Sequence, residues 1–201
     1  MNPYLHSKIS VKKRGGKISD YYPIHSFLDS TKELCSDNRH RFLHNLWGVR
    51  RVIIPIFGHT ISNSDDKEVN IKDLCEQDHI LPDYSNRFIP TIEDFVEQID
   101  DLTDRESAKL NEIHANYHFT SEELNLLLSP LSISGLKKSL LITHNSWFIK
   151  EILPKVVQRQ PTLEDFPIPT KMLFEKMNFA SWMDNGVNGL PKSSKKIANL
   201  L

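Results

Sequence analysis

Residues 23–57 read PIHSFLDSTKELCSDNRHRFLHNLWGVRRVIIPIF and contain two successive apolar patterns with helical spacing. The first pattern predicts a helix over residues 23–35, because apolar side chains recur there every three or four positions. The second predicts a helix over residues 42–57, after the polar N-cap cluster of residues 36–38. Because a linker this short makes two helices antiparallel neighbours, the sequence predicts a helical hairpin.

Most of the remaining chain also has helical patterns. Residues 59–70 are an exception, since turn and strand formers without a helical period predict a loop or a short strand there. Beyond an acidic segment, further helices are predicted over residues 107–118, 121–128, 147–157 and 171–183. No internal repeat is evident. The predicted fold is mainly α: a compact helical domain around the hairpin, with an appended helical C-terminal half.

The acidic segment at residues 98–106 predicts a boundary between two parts of the chain. We expect residues 1–104 to form the first domain and residues 105–201 to form a helical extension that packs on it. The later helices are short and joined by polar turns, so they are expected to need a partner surface to bury their apolar faces.

Composition narrows the class of protein. The chain has 201 residues, of which 39% are hydrophobic and 25% charged, as in globular proteins. No apolar run approaches the roughly 20 residues that a membrane span requires, so a soluble protein without a membrane partner is expected. Cys35 and Cys75 have no metal-like spacing, which is typical of free thiols in a reducing compartment and predicts a cytoplasmic location.

Charge is unevenly distributed although the net charge is only −1. Residues 61–110 contain fourteen acidic and five basic residues, whereas the basic cluster at residues 12–17 could attract phosphates. The alternative for this cluster is a solvated, mobile loop beside two glycines. A net charge near zero disfavours a nucleic-acid partner.

Histidines provide the most informative pattern in the sequence. His25 and Asp29 lie four residues apart on the first predicted helix, and His40 and His44 lie four apart on the second. Residues at this spacing share one helical face, so each helix can present two ligands to a common point. Imidazole and carboxylate groups arranged in this way suit zinc, manganese or iron.

Two further residues extend the predicted site. Asp65, in the loop region, and His79, on a short predicted helix, could complete the coordination. The predicted metal ligands are His25, His40, His44, Asp65 and His79. Asp29 is predicted to bind the ion or to orient a histidine, and Arg39 to clamp a phosphate. The alternative is structural, because buried histidines bonded to carboxylates or to the backbone are common.

The later histidines are predicted to be structural. His114 and His118 repeat the four-residue spacing, but no partner for them is evident, which favours a surface or packing role. His144 precedes Asn145 and Ser146 and is interpreted as part of a turn and N-cap.

Residues 2–99 resemble a family of uncharacterised bacterial and phage proteins classed as a domain of unknown function. The shared motifs are Leu5-His6-Ser7, Gly15-Gly16, Pro23-Ile24-His25 with Asp29, Arg39-His40-Arg41 with His44, Phe57-Gly58, Ile61, Asn63-Ser64-Asp65, Glu76-Gln77 and Ile89-Pro90-Thr91. Members commonly have a histidine directly after the Glu-Gln pair, whereas Asp78 here precedes His79. The resemblance implies that the family members share a polar site, but it does not indicate which reaction they catalyse, if any.

Two functions are therefore considered. The first is a metal-dependent hydrolase that acts on a phosphate ester or a nucleotide. The alternative is a phage or mobile-element protein that binds and modulates a host or competing protein, with a structural histidine network. That alternative rests on aromatic residues in the C-terminal half that could anchor a protein partner: Trp147, Phe148, Phe174, Phe179 and Trp182.

Overall fold

A computed structural model describes residues 1–159, 166–193 and 195–196. It divides into two compact units: residues 1–91 with 179–201 form unit 1, and residues 92–178 form unit 2. The predicted packing of residues 105–201 on the first domain stays a prediction. No helix among the described residues is long and apolar enough to cross a membrane.

Unit 1 consists of short helices with two small antiparallel strand pairs. Its helices and strands are α1 (Pro3–Arg14), α2 (Ile18–Leu28), 3-10 helices at Asp29–Glu33 and Asn38–Leu43, α3 (Leu46–Gly48), a π-helix at Val49–Ile53, α4 (Ile54–Phe57), β1 (Thr60–Ser62), β2 (Glu68–Asn70), α5 (Ile71–Leu74), a π-helix at Cys75–Ile80, α6 (Leu81–Asp83) and β3 (Phe88–Ile89). Strand β1 pairs with β2. The short strand predicted within residues 59–70 is confirmed.

The described elements of unit 2 are helices, and a single antiparallel β-bridge joins Ile99 and Met177. Its elements are α7 (Ile92–Val96), α8 (Asp104–Asn116), α9 (Ser121–Leu127), α10 (Ser129–Ser134), a 3-10 helix at Lys137–Ile142, a π-helix at Phe148–Ile152, α11 (Leu153–Val157) and α12 (Thr170–Lys176). The chain then returns to unit 1 with a 3-10 helix at Ser181–Met183 and strand β4 (Lys195–Lys196), which pairs antiparallel with β3. The predicted mainly α, compact helical fold is confirmed.

The first predicted helix has different bounds in the structure. Helix α2 begins five residues earlier than predicted, at Ile18, and includes Pro23 in its interior. Its end at Leu28 is followed directly by the 3-10 helix, which begins at Asp29. The apolar pattern continues across this change because both helix types present residues three apart on one side.

The second predicted helix is interrupted at His44. The backbone leaves the helical region there, with φ −80° and ψ 59°. Asn45 then starts a new helix, because its side chain accepts a hydrogen bond from Gly48 N and donates one to Phe42 O. A Cβ at Gly48 would collide with the carbonyl oxygen of Leu43, so glycine is required at this close approach. This break directs the His44 side chain into the unit.

The prediction of a mobile loop at residues 12–17 is wrong for its first three residues, which form the last turn of α1. Nε of Arg14 lies 2.6 Å from Asp78 Oδ2, and Nζ of Lys13 lies 3.0 Å from Asp78 Oδ1. Because the Asp78 side chain is fully buried, these ion pairs attach α1 to the π-helix that contains it. Lys13 and Arg14 therefore have a structural partner.

Contrary to the sequence expectation, the two units share a local repeat. His44-Asn45-Leu46-Trp47 corresponds to His144-Asn145-Ser146-Trp147, and each set follows a six-residue 3-10 helix. Both asparagines cap the next helix: Oδ1 accepts from Gly48 N at 2.9 Å in unit 1 and from Phe148 N at 3.1 Å in unit 2. A five-residue π-helix and a short α-helix with proline in its first turn follow in both units.

A second pair of segments supports the correspondence. Residues 89–91 and residues 168–170 both read Ile-Pro-Thr. The backbone of each segment accepts a hydrogen bond from the residue after the capping asparagine: Leu46 N donates to Pro90 O at 3.2 Å, and Ser146 N donates to Ile168 O at 2.8 Å. The acceptors stand one position apart in the two Ile-Pro-Thr segments, so the two units have a similar but not identical local hydrogen-bonding arrangement.

Candidate metal centre

Four side chains meet in the interior of unit 1. The carboxylate–histidine cluster consists of Asp29, His44, His79 and Asp83, whose ligand atoms all lie within 4.8 Å of one another. Both histidine side chains are 0% exposed, and the Asp29 and Asp83 side chains are 3% and 1% exposed. Among the described residues, this is the group that could hold a metal ion.

Local structure explains how the four residues converge. Asp29 is the first residue after α2, and His44 lies at the break before Asn45. His79 and Asp83 are four residues apart across the junction of the π-helix and α6, so they lie on one helical face. The cluster thus joins three separate segments of unit 1.

The distances from His79 to the two carboxylates are longer than those of good hydrogen bonds. Nε2 of His79 lies 3.6 Å from Asp29 Oδ1 and 3.8 Å from Asp83 Oδ2. Nδ1 of His44 lies 3.2 Å from Asp83 Oδ2, yet within the described part of the chain neither atom has a hydrogen-bond partner. Buried polar atoms without partners are rare in folded proteins, which makes this group of donors a candidate ion site.

The backbone determines the tautomer of His44. Its Nε2 lies 3.1 Å from the carbonyl oxygen of Leu28, which can only accept, so Nε2 carries a hydrogen. In the neutral ring Nδ1 then presents a lone pair toward Asp83. His6 has the corresponding arrangement, with Nδ1 2.9 Å from Asp78 O and Nε2 3.3 Å from Asp83 Oδ1.

Buried histidines and carboxylates shift one another's pKa values within the cluster. Burial would raise the pKa of Asp29, but contacts with His79 and His44 outweigh burial and hold it below its ordinary value. The pKa of Asp83 is also depressed, because His44 and His6 oppose the effect of burial. Burial lowers the pKa of His79 well below its usual value, although Asp29 opposes this shift. Ionised carboxylates and neutral imidazole are the forms that bind metals.

Positive groups reach the outer side of both carboxylates. Lys32 Nζ lies 2.8 Å from Asp29 Oδ2, and its side chain is 37% exposed. The Met1 ammonium lies 2.6 Å from Asp83 Oδ1. Arg41 is buried and donates from Nη1 to the Asp83 carbonyl oxygen, with Nε 3.8 Å from Asp83 Oδ2.

Three residues of the sequence prediction, Asp29, His44 and His79, belong to the cluster, and Asp83 was missed. His40 borders it: its ring centroid is 6.1 Å from that of His44, and its Nδ1 is bonded to Asp37 O at 2.5 Å. The signal that could have found Asp83 is its four-residue spacing from His79, the same spacing that drew attention to His40 and His44.

The other predicted residues have different surroundings. Both ring nitrogens of His25 contact protein atoms: Nε2 lies 2.9 Å from Ser10 Oγ, and Nδ1 lies 3.0 Å from His79 Nδ1. His25 therefore contacts a cluster member and has no free nitrogen for an ion. Asp65 is exposed, outside the cluster, and accepts a hydrogen bond from Gly16 N at 2.8 Å.

The predicted phosphate clamp, Arg39, is engaged with an acidic neighbour. Its Nε lies 3.0 Å from both carboxylate oxygens of Asp37, and Nη2 lies 2.9 Å from Oδ2. This contact raises the pKa of Arg39 and lowers that of Asp37, where it outweighs burial. Arg39 would have to leave this pair before it could bind a phosphate.

Fold and site together define a mainly helical protein with a buried carboxylate–histidine cluster that could hold a metal. The model of the family described as "Domain of unknown function (DUF6915)" matches residues 1–103, which include the whole cluster. The chain belongs to this family. No curated protein and no solved structure matches the chain.

Proposed function

We propose that the chain is a metal-dependent hydrolase acting on a phosphate ester or a nucleotide, with its ion held by Asp29, His44, His79 and Asp83. The contact between His44 Nδ1 and Asp83 Oδ2, 3.2 Å apart and buried, carries this proposal. Two lone pairs face each other there when His44 is neutral. A positive charge, either a proton or a metal ion, is needed to make the contact favourable.

A metal ion would contact more of the ligand atoms in the cluster than a proton does. A proton on His44 relieves one contact, whereas Nε2 of His79 and Nε2 of His6 also lie near the two carboxylates. Adding a proton to His79 is disfavoured because burial lowers its pKa. A single divalent cation would give Asp29, His44, His79 and Asp83 a common partner, beside the ammonium groups of Lys32 and Met1 that pair with the outer carboxylate oxygens.

The donor set favours a transition metal. Two imidazoles and two carboxylates suit zinc, manganese and iron, the metals considered from the sequence. Manganese and iron accept more than four ligands, which would leave positions for water and a substrate oxygen. An ion held by these residues would lower the pKa of its bound water, to about 7 for zinc, and would polarise a phosphoryl oxygen.

Lys32 supports an anionic substrate. Its ammonium group touches Asp29 on the outer side of the cluster, and its side chain is partly exposed. A phosphate oxygen that reached the ion from this side would meet a positive charge beside it. Lys32 is better placed than Arg39 because it touches a member of the cluster, although it is also paired, with Asp29 and with the Met1 carbonyl oxygen at 2.7 Å.

The docking alternative has less support. Of the five aromatic residues on which it rests, Phe148, Phe174 and Trp182 are buried, and Phe179 is the one that is about half exposed, at 49%. Aromatic side chains that are buried contribute to the core, so these three do not offer an exposed surface to a partner.

Metal titration tests the first step of the proposal. Protein stripped with a chelator and dialysed is expected to bind one zinc or manganese ion per chain and to gain about 4 kcal/mol in unfolding free energy at a thousandfold excess over Kd. Thermal denaturation and elemental analysis measure the two effects. His44→Gln should abolish the gain, whereas His59→Gln, at an exposed histidine, should preserve it. Failure of zinc, manganese and iron to bind stoichiometrically would remove the metal-dependent function.

Hydrolysis of p-nitrophenyl phosphate and its bis ester tests the second step. Turnover is expected with the metal-loaded protein and should disappear after chelation and return with added metal. Lys32→Gln is expected to raise KM while leaving metal content unchanged, because it removes a substrate contact and retains the cluster. Equal turnover by stripped and loaded protein would contradict the proposed role of the ion.

A further inference from the structure

We infer that a buried hydrogen-bond chain from Ser10 through His25 to His79 determines whether His79 can bind the ion. This inference rests on the proposed metal site and adds two positioning residues to it. Ser10 and His25 are fully buried, and neither belongs to the four-residue cluster.

Ion binding at His79 specifies the direction of the whole chain. An ion on Nε2 occupies that lone pair, so the ring hydrogen must be on Nδ1 and is donated to His25 Nδ1, 3.0 Å away. His25 must then carry its own hydrogen on Nε2 and donate it to Ser10 Oγ, 2.9 Å away. The Ser10 hydroxyl in turn donates to the carbonyl oxygen of His6 at 3.2 Å. Because that carbonyl can only accept, the chain ends there.

The reverse direction is incompatible with the ion. If Ser10 donates to His25 Nε2, then His25 Nδ1 donates to His79 and the His79 hydrogen lies on Nε2. That hydrogen points toward Asp29 Oδ1 and Asp83 Oδ2, at 3.6 and 3.8 Å, where the ion would be held. Each ring carries one hydrogen in both arrangements, so reversal leaves their total number of bound protons unchanged.

Two contacts restrict a neutral His25 ring to these two arrangements. Ser10 Oγ faces its Nε2 and His79 Nδ1 faces its Nδ1, and one ring nitrogen must donate while the other accepts. Hydrogen bonds to the second nitrogen of a metal-bound histidine orient the ring and increase its basicity.

Nitrogen NMR of the zinc-loaded protein labelled at histidine nitrogen tests the inference directly. We expect hydrogen on Nε2 of His25 and on Nδ1 of His79. Zinc bound to a protein in which His25 carries hydrogen on Nδ1 would overturn the chain but not the metal site. Absence of zinc binding would overturn both, so the two failures are distinguishable.

Substitution of Ser10 gives an independent measurement. Ser10→Ala removes the acceptor for His25 Nε2 and is expected to raise the zinc Kd by about 10- to 100-fold, the usual effect of losing an outer-shell partner. Ser10→Thr retains the hydroxyl and should restore binding. Ser7→Ala is the matched control, since Ser7 is also buried on α1 but donates to Pro3 O within that helix. Equal zinc affinity in the Ser10→Ala variant and the unmodified protein would contradict the inference.

A second inference comes from the local repeat. We propose that unit 2 is a degenerate copy of the His44 region in which a contact between histidines replaces the ion site. His144 stands where His44 stands in unit 1, but its Nε2 lies 3.1 Å from His114 Nε2. The residue sixteen positions before the capping asparagine is Asp29 in unit 1 and Ser129 in unit 2, whose hydroxyl donates to Leu126 O. The corresponding region therefore lacks this carboxylate.

The number of zinc ions bound per chain shows which of the two units contributes a metal site. His144→Gln is expected to retain one zinc ion per chain with an affinity within about twofold of the unmodified protein, whereas His44→Gln should lose it. The two variants remove the same side chain from equivalent positions, so each is the control for the other. Two zinc ions per chain, or loss of zinc in the His144→Gln variant, would show that unit 2 contributes a site.

Discussion

Replacement of Asp83 by asparagine is expected to weaken zinc binding by at least about 100-fold, since even outer-shell changes typically cost 10- to 100-fold. Asp83 is the centre of the cluster: its carboxylate lies 3.2 Å from His44, 3.3 Å from His6 and 3.8 Å from His79. Asparagine preserves the shape of the side chain but removes the negative charge that attracts the ion. Calorimetric titration of the chelator-treated variant measures this change.

Asp65→Asn is the informative control, because the sequence suggested Asp65 as a ligand and the structure places it on the surface. Its zinc affinity should match that of the unmodified protein. A loss of affinity in Asp65→Asn together with normal binding in Asp83→Asn would favour the sequence-based ligand set. Circular dichroism of both variants distinguishes lost binding from lost folding, which matters because Arg41 also contacts Asp83.

Acid is expected to destabilise the metal-free protein. Its free energy of unfolding should decrease as the pH falls below about 6.5. Burial, the largest cause in each case, lowers the pKa of His25 and His144 to about 3 and that of His40 to about 4. Between these values and 6.5 the unfolded chain binds protons that the folded chain does not. The free energy of unfolding therefore falls as pH falls, by about 1.4 kcal/mol per pH unit for each such proton.

The carboxylates act in a different pH window. Because the pKa values of Asp29 and Asp83 are depressed in the folded state, their stabilising contribution is present above the ordinary aspartate pKa and is lost only in stronger acid. Urea denaturation between pH 4 and 8 measures the slope and hence the number of histidines involved. Constant stability from pH 7 down to pH 4 would show that the buried histidines do not control acid unfolding. His144→Phe should reduce the slope by about one proton.

The sequence predicted the helical class because the apolar spacing of residues 23–57 is compatible with α-, 3-10 and π-helices alike. It did not predict α1, whose buried residues are His6, Ser7 and Ser10. Apolar periodicity cannot detect a helix with a polar buried face. The buried partners of that face, His25 and Asp83 among them, come from other segments.

The local repeat was also invisible in the sequence. Only two short groups of identical residues mark it, and the segment between them is much shorter in unit 2 than in unit 1. The correspondence becomes clear from the two asparagine caps and the helix types that follow them. The capping hydrogen bonds are therefore similar in the two units, although few of the side chains are identical.

By itself, the sequence determined the mainly α class, a loop or short strand near residue 60 and the four-residue spacing of His25 with Asp29 and of His40 with His44. Tertiary structure decided which of these residues meet. The break at His44 and the four-residue spacing of His79 and Asp83 bring three segments together around Asp29. The same packing leaves Asp65 on the surface and engages both nitrogens of His25. Residue spacing specifies neighbours within one helix, whereas contacts between segments depend on how the chain breaks and packs between them.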